Sequence, residues 1–327
     1  MPTVLIGSGP LRRQPGRFRE ILVEAGFETI EPPGDGTLTE AELREYLPRA
    51  HASVAGGEPY SADLLASCPN LRVIARTGVG YDAVDVDAAT RKGIAVATTP
   101  GTNHDSVAEQ AFALMLGVLR RVALNDRLIR EGVWDRTLVA PMRGKTLGLV
   151  GLGRIGRAMV PRARAFGLEV IACDTCPPTD LEAQFGVRRV SFEELLSLSD
   201  IVSLHMPLLP ETKGLFNRAT FARMRPGSFL INTARGGVLV EPDLYEALTS
   251  GHLAGAGLDV LDPEPPDPSN PLLTLPNVVV SPHIAGIDTL AMADMAEKAA
   301  WCIAELSRGR WPEECVVNPE VRRGWAW

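Results

Sequence analysis

The sequence predicts an α/β protein built from two parallel-sheet domains, one inserted into the other. Three observations carry this expectation. The chain has 327 residues, more than one hydrophobic core comfortably organises. Short β-branched runs alternate with helical patterns twice, once from residue 3 to about 100 and again after Lys145, and such alternation implies parallel strands with helices on both faces. A last amphipathic pattern runs from Gly286 to about residue 308 and completes the first series, so the first domain is expected at 1–100 and 286–327 and the second at 101–285.

In the first series, strands are expected at 3–6, 52–54, 71–75 and 94–97, with helices at 17–25, 39–47 and 84–92. Residues 104–130 read as one long apolar helical stretch. The second series predicts strands at 146–150, 169–173, 201–205, 228–232, 255–259 and 278–281, and helices at 154–166, 193–198, 218–224 and 242–249. Ser191 followed by Glu194 is a capping box, and Pro242 suits a first helical turn. Pro161 should bend the helix that contains it. The proline-rich residues 262–271 read as a rigid loop.

Composition narrows the function classes. With 45% hydrophobic and 22% charged residues the chain reads as an ordinary soluble protein, and a net charge of −7 argues against a nucleic-acid or anionic-membrane partner. No run approaches the ~20 apolar residues of a membrane span, and the amino terminus lacks a signal-peptide pattern. Five cysteines fit a reducing cytoplasm better than a disulfide framework. Cys173 and Cys176 have redox-motif spacing but read as ordinary thiols, and with no second such pair no metal site is expected.

Gly151-Leu-Gly153-Arg-Ile-Gly156 follows a predicted strand and opens a predicted helix, the context in which this pattern binds a dinucleotide pyrophosphate. The glycines permit a tight turn, close approach of backbone to phosphate, and close packing of helix on strand. Asp174 ends the next strand, where a carboxylate can accept from ribose hydroxyls and repel a 2′-phosphate, so NAD is favoured over NADP. A similar run, Gly7-Ser-Gly9-Pro10, has Arg12 in the third glycine's place and reads as an ordinary turn.

Three more strand ends carry reactive groups: Arg235 within Asn232-Thr-Ala-Arg-Gly-Gly237, Glu264 beyond Asp259, and His283 within Ser281-Pro-His-Ile-Ala-Gly286. A guanidinium can hold a carboxylate and polarise a neighbouring carbonyl. An imidazole can exchange a proton near neutrality, and a carboxylate beside it fixes its orientation. Any one of these residues alone would more readily be structural. All three beyond strand ends of one dinucleotide-binding domain point to hydride transfer at a carbon beside a carboxylate.

The glycine turn, Thr233 to Gly237, Asp259 to Pro265 and Pro282 to Gly286 together resemble the D-isomer-specific 2-hydroxyacid dehydrogenase family across almost the entire chain. The resemblance implies two Rossmann-like or flavodoxin-like domains with a cleft between them and a homodimer paired through the NAD domain. It assigns Arg235, Glu264 and His283 as catalytic. It places Arg154 and Ile155 at the pyrophosphate, and His205, Pro207 and Thr212 on the adenosine side. It places Asp259 and Ser106 near the nicotinamide, and adds Thr233, Ala234 and Gly286 to the cofactor set. Val79 and Gly80, with Arg76, would meet the substrate.

Phosphoglycerate dehydrogenases usually carry an Arg after the strand that here ends at Val54, whereas this chain reads Ala55-Gly-Gly-Glu58. Arg12, Arg13 or Arg76 could compensate, so the substrate stays open between phosphoglycerate-like and glyoxylate- or hydroxypyruvate-like acids, leaning toward the latter. A non-catalytic NAD-sensing corepressor on the same fold is the alternative from another class.

Overall fold

The computed structural model describes residues 1–175 and 180–327. Cys176 lies outside them, while Cys68, Cys173, Cys302 and Cys315 carry free thiols. The chain divides into two compact units, Met1–Asn103 with Gly286–Trp327, and His104–Ala285.

Unit 1 runs β1 (Thr3–Ile6), α1 (Arg17–Glu24), β2 (Glu28–Ile30), α2 (Glu40–Tyr46), β3 (Ala52–Ala55), α3 (Ala62–Ala66), β4 (Val73–Arg76), α4 (Val86–Arg91) and β5 (Ala95–Ala97). Helices α2, α3 and α4 start where side chains satisfy the first free amides. Thr39 and Glu42 form a reciprocal capping box on α2, and Ser61 and Asp85 accept from Leu64 and Ala88. The strands pair in parallel in the order β2-β1-β3-β4-β5, so the direction of winding reverses between β1 and β3.

Unit 2 begins with α5 (His104–Leu119) and α6 (Val122–Arg130). It continues β6 (Thr146–Val150), α7 (Arg154–Ala165), β7 (Glu169–Cys173), α8 (Asp180–Phe185), β8 (Arg188–Arg189), α9 (Phe192–Leu198), β9 (Ile201–Leu204), α10 (Arg218–Arg223), β10 (Ser228–Asn232), α11 (Glu241–Thr249), β11 (Leu253–Leu258) and β12 (Val278–Val280). The sheet is parallel in the order β12-β11-β10-β9-β6-β7-β8. Central strands are buried on both faces, which is why Leu147 to Val150 of β6 and Phe229 to Ile231 of β10 read as continuous apolar stretches rather than alternating ones. Here the winding reverses between β6 and β9. Ligands of such sheets sit beyond the carboxyl ends of the strands at that reversal. After unit 2 the chain returns to unit 1 as α12 (Thr289–Ser307), whose Ala296, Ala299, Ala300 and Ile303 join Val4, Ile6, Val54 and Ala75 in one core.

Several expectations need correction. The stretch 104–130 is two helices, because Arg121 takes a left-handed backbone conformation at φ 54° and turns the chain. The short elements β2, α3, α8 and β8 are additions to the expected series. Helix α7 continues through the exposed Pro161, as the sequence leads us to expect of the helix itself. Among the described residues no helix is long and apolar enough to cross a membrane.

Candidate active site

The glycine turn lies at the reversal point of unit 2, between the ends of β6 and β9. A Cβ on Gly151 would come within 2.7 Å of the His205 carbonyl oxygen, and one on Gly156 within 2.2 Å of the Gly151 carbonyl oxygen, so only glycine lets the turn and α7 pack this closely. Gly153 differs: a Cβ there would meet nothing within 4 Å, so its face is open to a ligand. The amides of Gly153, Arg154 and Ile155 have no hydrogen-bond acceptor among the described residues. Together with the α7 dipole they form a site suited to an anion.

The carboxylate of Asp174, just past β7, accepts from the Leu152 amide and so ties the turn to the neighbouring strand end. His205 donates or accepts through Nε2 at the Ser203 hydroxyl, 2.9 Å away, while its Nδ1 is sealed from solvent with no partner among the described residues. Burial pushes that imidazole down to about 4. Thr233 Oγ1 is likewise sealed and unpartnered. Two such orphaned polar atoms beside an open anion site fit a polar cofactor. Thr212 closes the adjoining loop, its hydroxyl donating to the Pro207 carbonyl at 2.6 Å and accepting from the Leu209 amide at 2.8 Å.

Beyond β10, Asn232 is fully buried and holds the next turn from inside: its Nδ2 donates to the Arg235 carbonyl at 2.9 Å and its Oδ1 accepts from the Ala234 amide at 3.0 Å. The half-buried Arg235 donates to the Ala234 carbonyl at 2.7 Å. A Cβ on Gly236 would sit 2.1 Å from the Leu261 carbonyl oxygen, so the Arg235 turn touches the loop that carries Glu264 backbone to backbone.

Glu264 serves two donors. Its Oε1 accepts from the Leu261 amide at 3.1 Å, and its Oε2 lies 2.6 Å from His283 Nδ1. His283 adopts a left-handed backbone at φ 53°, uncommon for a residue with a side chain, and its amide donates to the Asp259 carbonyl at 2.8 Å. The buried Asp259 carboxylate organises the same segment. It accepts from the Ser281 hydroxyl at 2.6 Å, the Ile284 amide at 3.0 Å and the Ala285 amide at 2.8 Å, and Gln110 donates to Ser281 at 2.9 Å. Burial raises the Asp259 carboxyl above the usual range, opposed by those bonds and by His283.

Unit 2 thus collects the glycine turn, Asp174, His205, Thr233, Ala234, Arg235, Asp259, Glu264 and His283 along the carboxyl ends of one sheet, with the half-buried Ser106 on α5. Arg76, Val79, Gly80 and Gly286 belong to unit 1. The amides of Val79 and Gly80 have no acceptor among the described residues. Arg76 is turned onto backbone carbonyls, donating through Nε to Gly80 at 3.1 Å and through Nη1 to Gly56. Asn232 and Gln110 escaped sequence reasoning. An Asn closing a buried apolar strand was the available signal for the first, since a buried amide must be bonded. Nothing local signals the second.

Residues 112–285 match the family described as D-isomer specific 2-hydroxyacid dehydrogenase, NAD binding domain. A glyoxylate reductase of Korarchaeum cryptofilum is 42% identical over 270 residues, 81% of each chain. A D-3-phosphoglycerate dehydrogenase of Archaeoglobus fulgidus is 39% identical over 87% of this chain and 54% of that enzyme, so the chain spans about half the length of such relatives. The solved structure of the TT0316 protein from Thermus thermophilus superposes with a TM-score of 0.86 at 39% identity, covering 97% of this chain and 100% of that one. The chain belongs to the D-isomer specific 2-hydroxyacid dehydrogenase family.

Proposed function

We propose that this chain is an NAD-dependent dehydrogenase that interconverts small 2-keto acids and D-2-hydroxy acids, with glyoxylate- or hydroxypyruvate-like substrates preferred over phosphorylated ones. The observation that carries the reading is the 2.6 Å contact between His283 Nδ1 and Glu264 beyond strands of the sheet that also presents Arg235. Arg235 holds the substrate carboxylate and polarises the C2 carbonyl. The Nδ1–H of His283 donates to Glu264, so Nε2 faces the substrate and exchanges one proton with the C2 oxygen. The amides of Val79 and Gly80 add two donors for the substrate carboxylate. A nicotinamide dinucleotide held by its pyrophosphate at the glycine turn would supply or take up the hydride.

Gly151, Gly153, Arg154, Ile155 and Gly156 would hold the pyrophosphate. Asp174 would accept from the ribose hydroxyls, favouring NAD over NADP. His205, Pro207 and Thr212 would line the adenosine side, and Ser106, Thr233, Ala234, Asp259 and Gly286 would complete the cofactor set. A homodimer through unit 2 is supported by α6, which buries no residue, and by Trp134 and Leu138, 79% and 96% exposed.

The test is oxidation of NADH and of NADPH by the purified chain against glyoxylate, hydroxypyruvate, phosphohydroxypyruvate, pyruvate and larger keto acids. Turnover of at least one short keto acid with NADH is expected. NADH binding without turnover of any of them would replace the dehydrogenase reading with that of an NAD-sensing protein. A strong preference for NADPH would remove the assigned role of Asp174.

A further inference from the structure

Helix α5 lies against strand β11 in a fixed register. A Cβ on Gly255 would come within 2.5 Å of Val118 Cγ2, and one on Gly257 within 2.9 Å of Leu114 Cβ, so the two glycines let the helix rest on the strand backbone. Four helical residues advance about 6 Å and two strand residues about 6.6 Å. Each step of four back along α5 therefore matches a step of two forward along β11. Val118 covers Gly255 and Leu114 covers Gly257. The next residue on that helical face, Gln110, comes level with Asp259, just past the strand.

From there a chain of donors runs to the histidine. Gln110 Nε2 donates to Ser281 Oγ at 2.9 Å, and Ser281 donates its hydroxyl hydrogen to Asp259 Oδ1 at 2.6 Å. The same carboxylate accepts from the Ile284 and Ala285 amides, and the Asp259 carbonyl accepts from the His283 amide at 2.8 Å. Asp259 thus holds His283, whose φ is 53°, and the two residues after it. Such a backbone persists only where its neighbours over-determine it. Asp259 is 1% exposed and burial disfavours its charge, so each of its donors counts. A hydroxyl has one hydrogen to give. The NH2 group of Gln110 occupies a lone pair of Ser281 and leaves that hydrogen for Asp259. A carboxylate at position 110 would take the hydrogen itself, and an apolar side chain would leave the hydroxyl free to turn away.

We propose that Gln110 is a positioning residue for His283: by donating to Ser281 it directs the hydroxyl hydrogen to Asp259, and so holds the left-handed segment in which the imidazole meets Glu264. Its effect on turnover rests on the keto acid dehydrogenase reading above, whereas its effect on the segment does not.

The experiment compares the wild-type full chain with Gln110→Leu and Gln110→Glu, by amide hydrogen exchange and by kcat and KM at saturating NADH for the keto acid the wild type reduces fastest. Exchange at Ile284 and Ala285 should quicken by about threefold in Gln110→Leu and by about tenfold or more in Gln110→Glu, with the amides of β9 and β10 unchanged. In the same order kcat should fall by similar factors, with KM for the keto acid within about twofold because Arg235 is untouched. A packing role alone predicts that Gln110→Leu is at least as damaging as Gln110→Glu, or that exchange quickens across the whole sheet with a lowered melting temperature, and either result overturns the proposal. Should Gln110→Glu fail to fold, Gln110→Leu decides, since wild-type exchange at 284 and 285 or a wild-type kcat overturns it. A chain that reduces no keto acid defeats the dehydrogenase reading, and exchange at the two amides then still decides whether Gln110 holds the segment.

Discussion

Glu264→Gln would test the proton-exchanging pair most directly. The carboxylate accepts from two donors on two oxygens, the Leu261 amide at 3.1 Å and His283 Nδ1 at 2.6 Å. The amide of Gln offers one acceptor oxygen, so one donor must face an NH2 group instead. If that donor is the imidazole, Nδ1 becomes an acceptor, the neutral ring keeps its proton on Nε2, and proton uptake in the oxidative direction is blocked. A hydrogen bond to a charged group is worth about 1.5–3 kcal/mol. The side chains of His283 and Glu264 are 47% and 36% exposed, so solvent screening places this one near the lower end, at about 1–2 kcal/mol. That corresponds to a fall in kcat of about five- to thirtyfold. Steady-state NADH oxidation and NAD reduction measure it, with a fluorescence titration of NADH expected to give an unchanged Kd. A variant whose kcat stays within about twofold of wild type in both directions would refute the pairing as a catalytic element.

Other outcomes follow from the same geometry. His205, held at about 4, takes up its proton later than the unfolded chain, where the ordinary value is 6.5; its contribution is therefore complete above pH 6.5 and lost as pH falls toward 4, by about 3 kcal/mol at most. Urea midpoints of His205→Gln and wild type, measured without cofactor from pH 7 downward, should converge on acidification, and parallel curves would contradict this. Gly236→Ala must force apart two backbones that would meet at 2.1 Å, costing about 1–3 kcal/mol and lowering kcat with the shifted Arg235; a thermal melt and kcat both like wild type would show that the loops yield freely. Replacing Trp134 and Leu138 with Ser should shift the chain toward a monomer in sedimentation, and a wild-type chain that is already monomeric at micromolar concentration would remove the proposed dimer.

What was legible in the sequence was whatever left a local trace. Strands β6, β7 and β10 announce themselves because each carries a short apolar run, Leu147 to Val150, Val170 to Cys173 and Phe229 to Ile231, that fills a sheet covered on both faces. Edge strand β2 does not, since Glu28-Thr-Ile30 keeps part of its surface exposed and carries no apolar run, and α3 at five residues is too short to display a helical period. The break at Arg121 has no glycine or proline to mark it. In the site, residue types beyond strand ends were readable because the fold always presents those ends to a ligand. The bonds that set them were not. Gln110 reaches Ser281 across 171 residues, and the destination of the Arg76 guanidinium depends on two loops whose fold no periodicity encodes.

The bonds of Glu264 and His283 described above close within His104–Ala285, whose cores are separate from that of Met1–Asn103 with Gly286–Trp327. Substitutions made in separate cores add almost independently. The loops after β3 and β4 can therefore be redrawn at little cost to the folding of the sheet that carries the histidine, which makes them the positions a protein engineer would alter first.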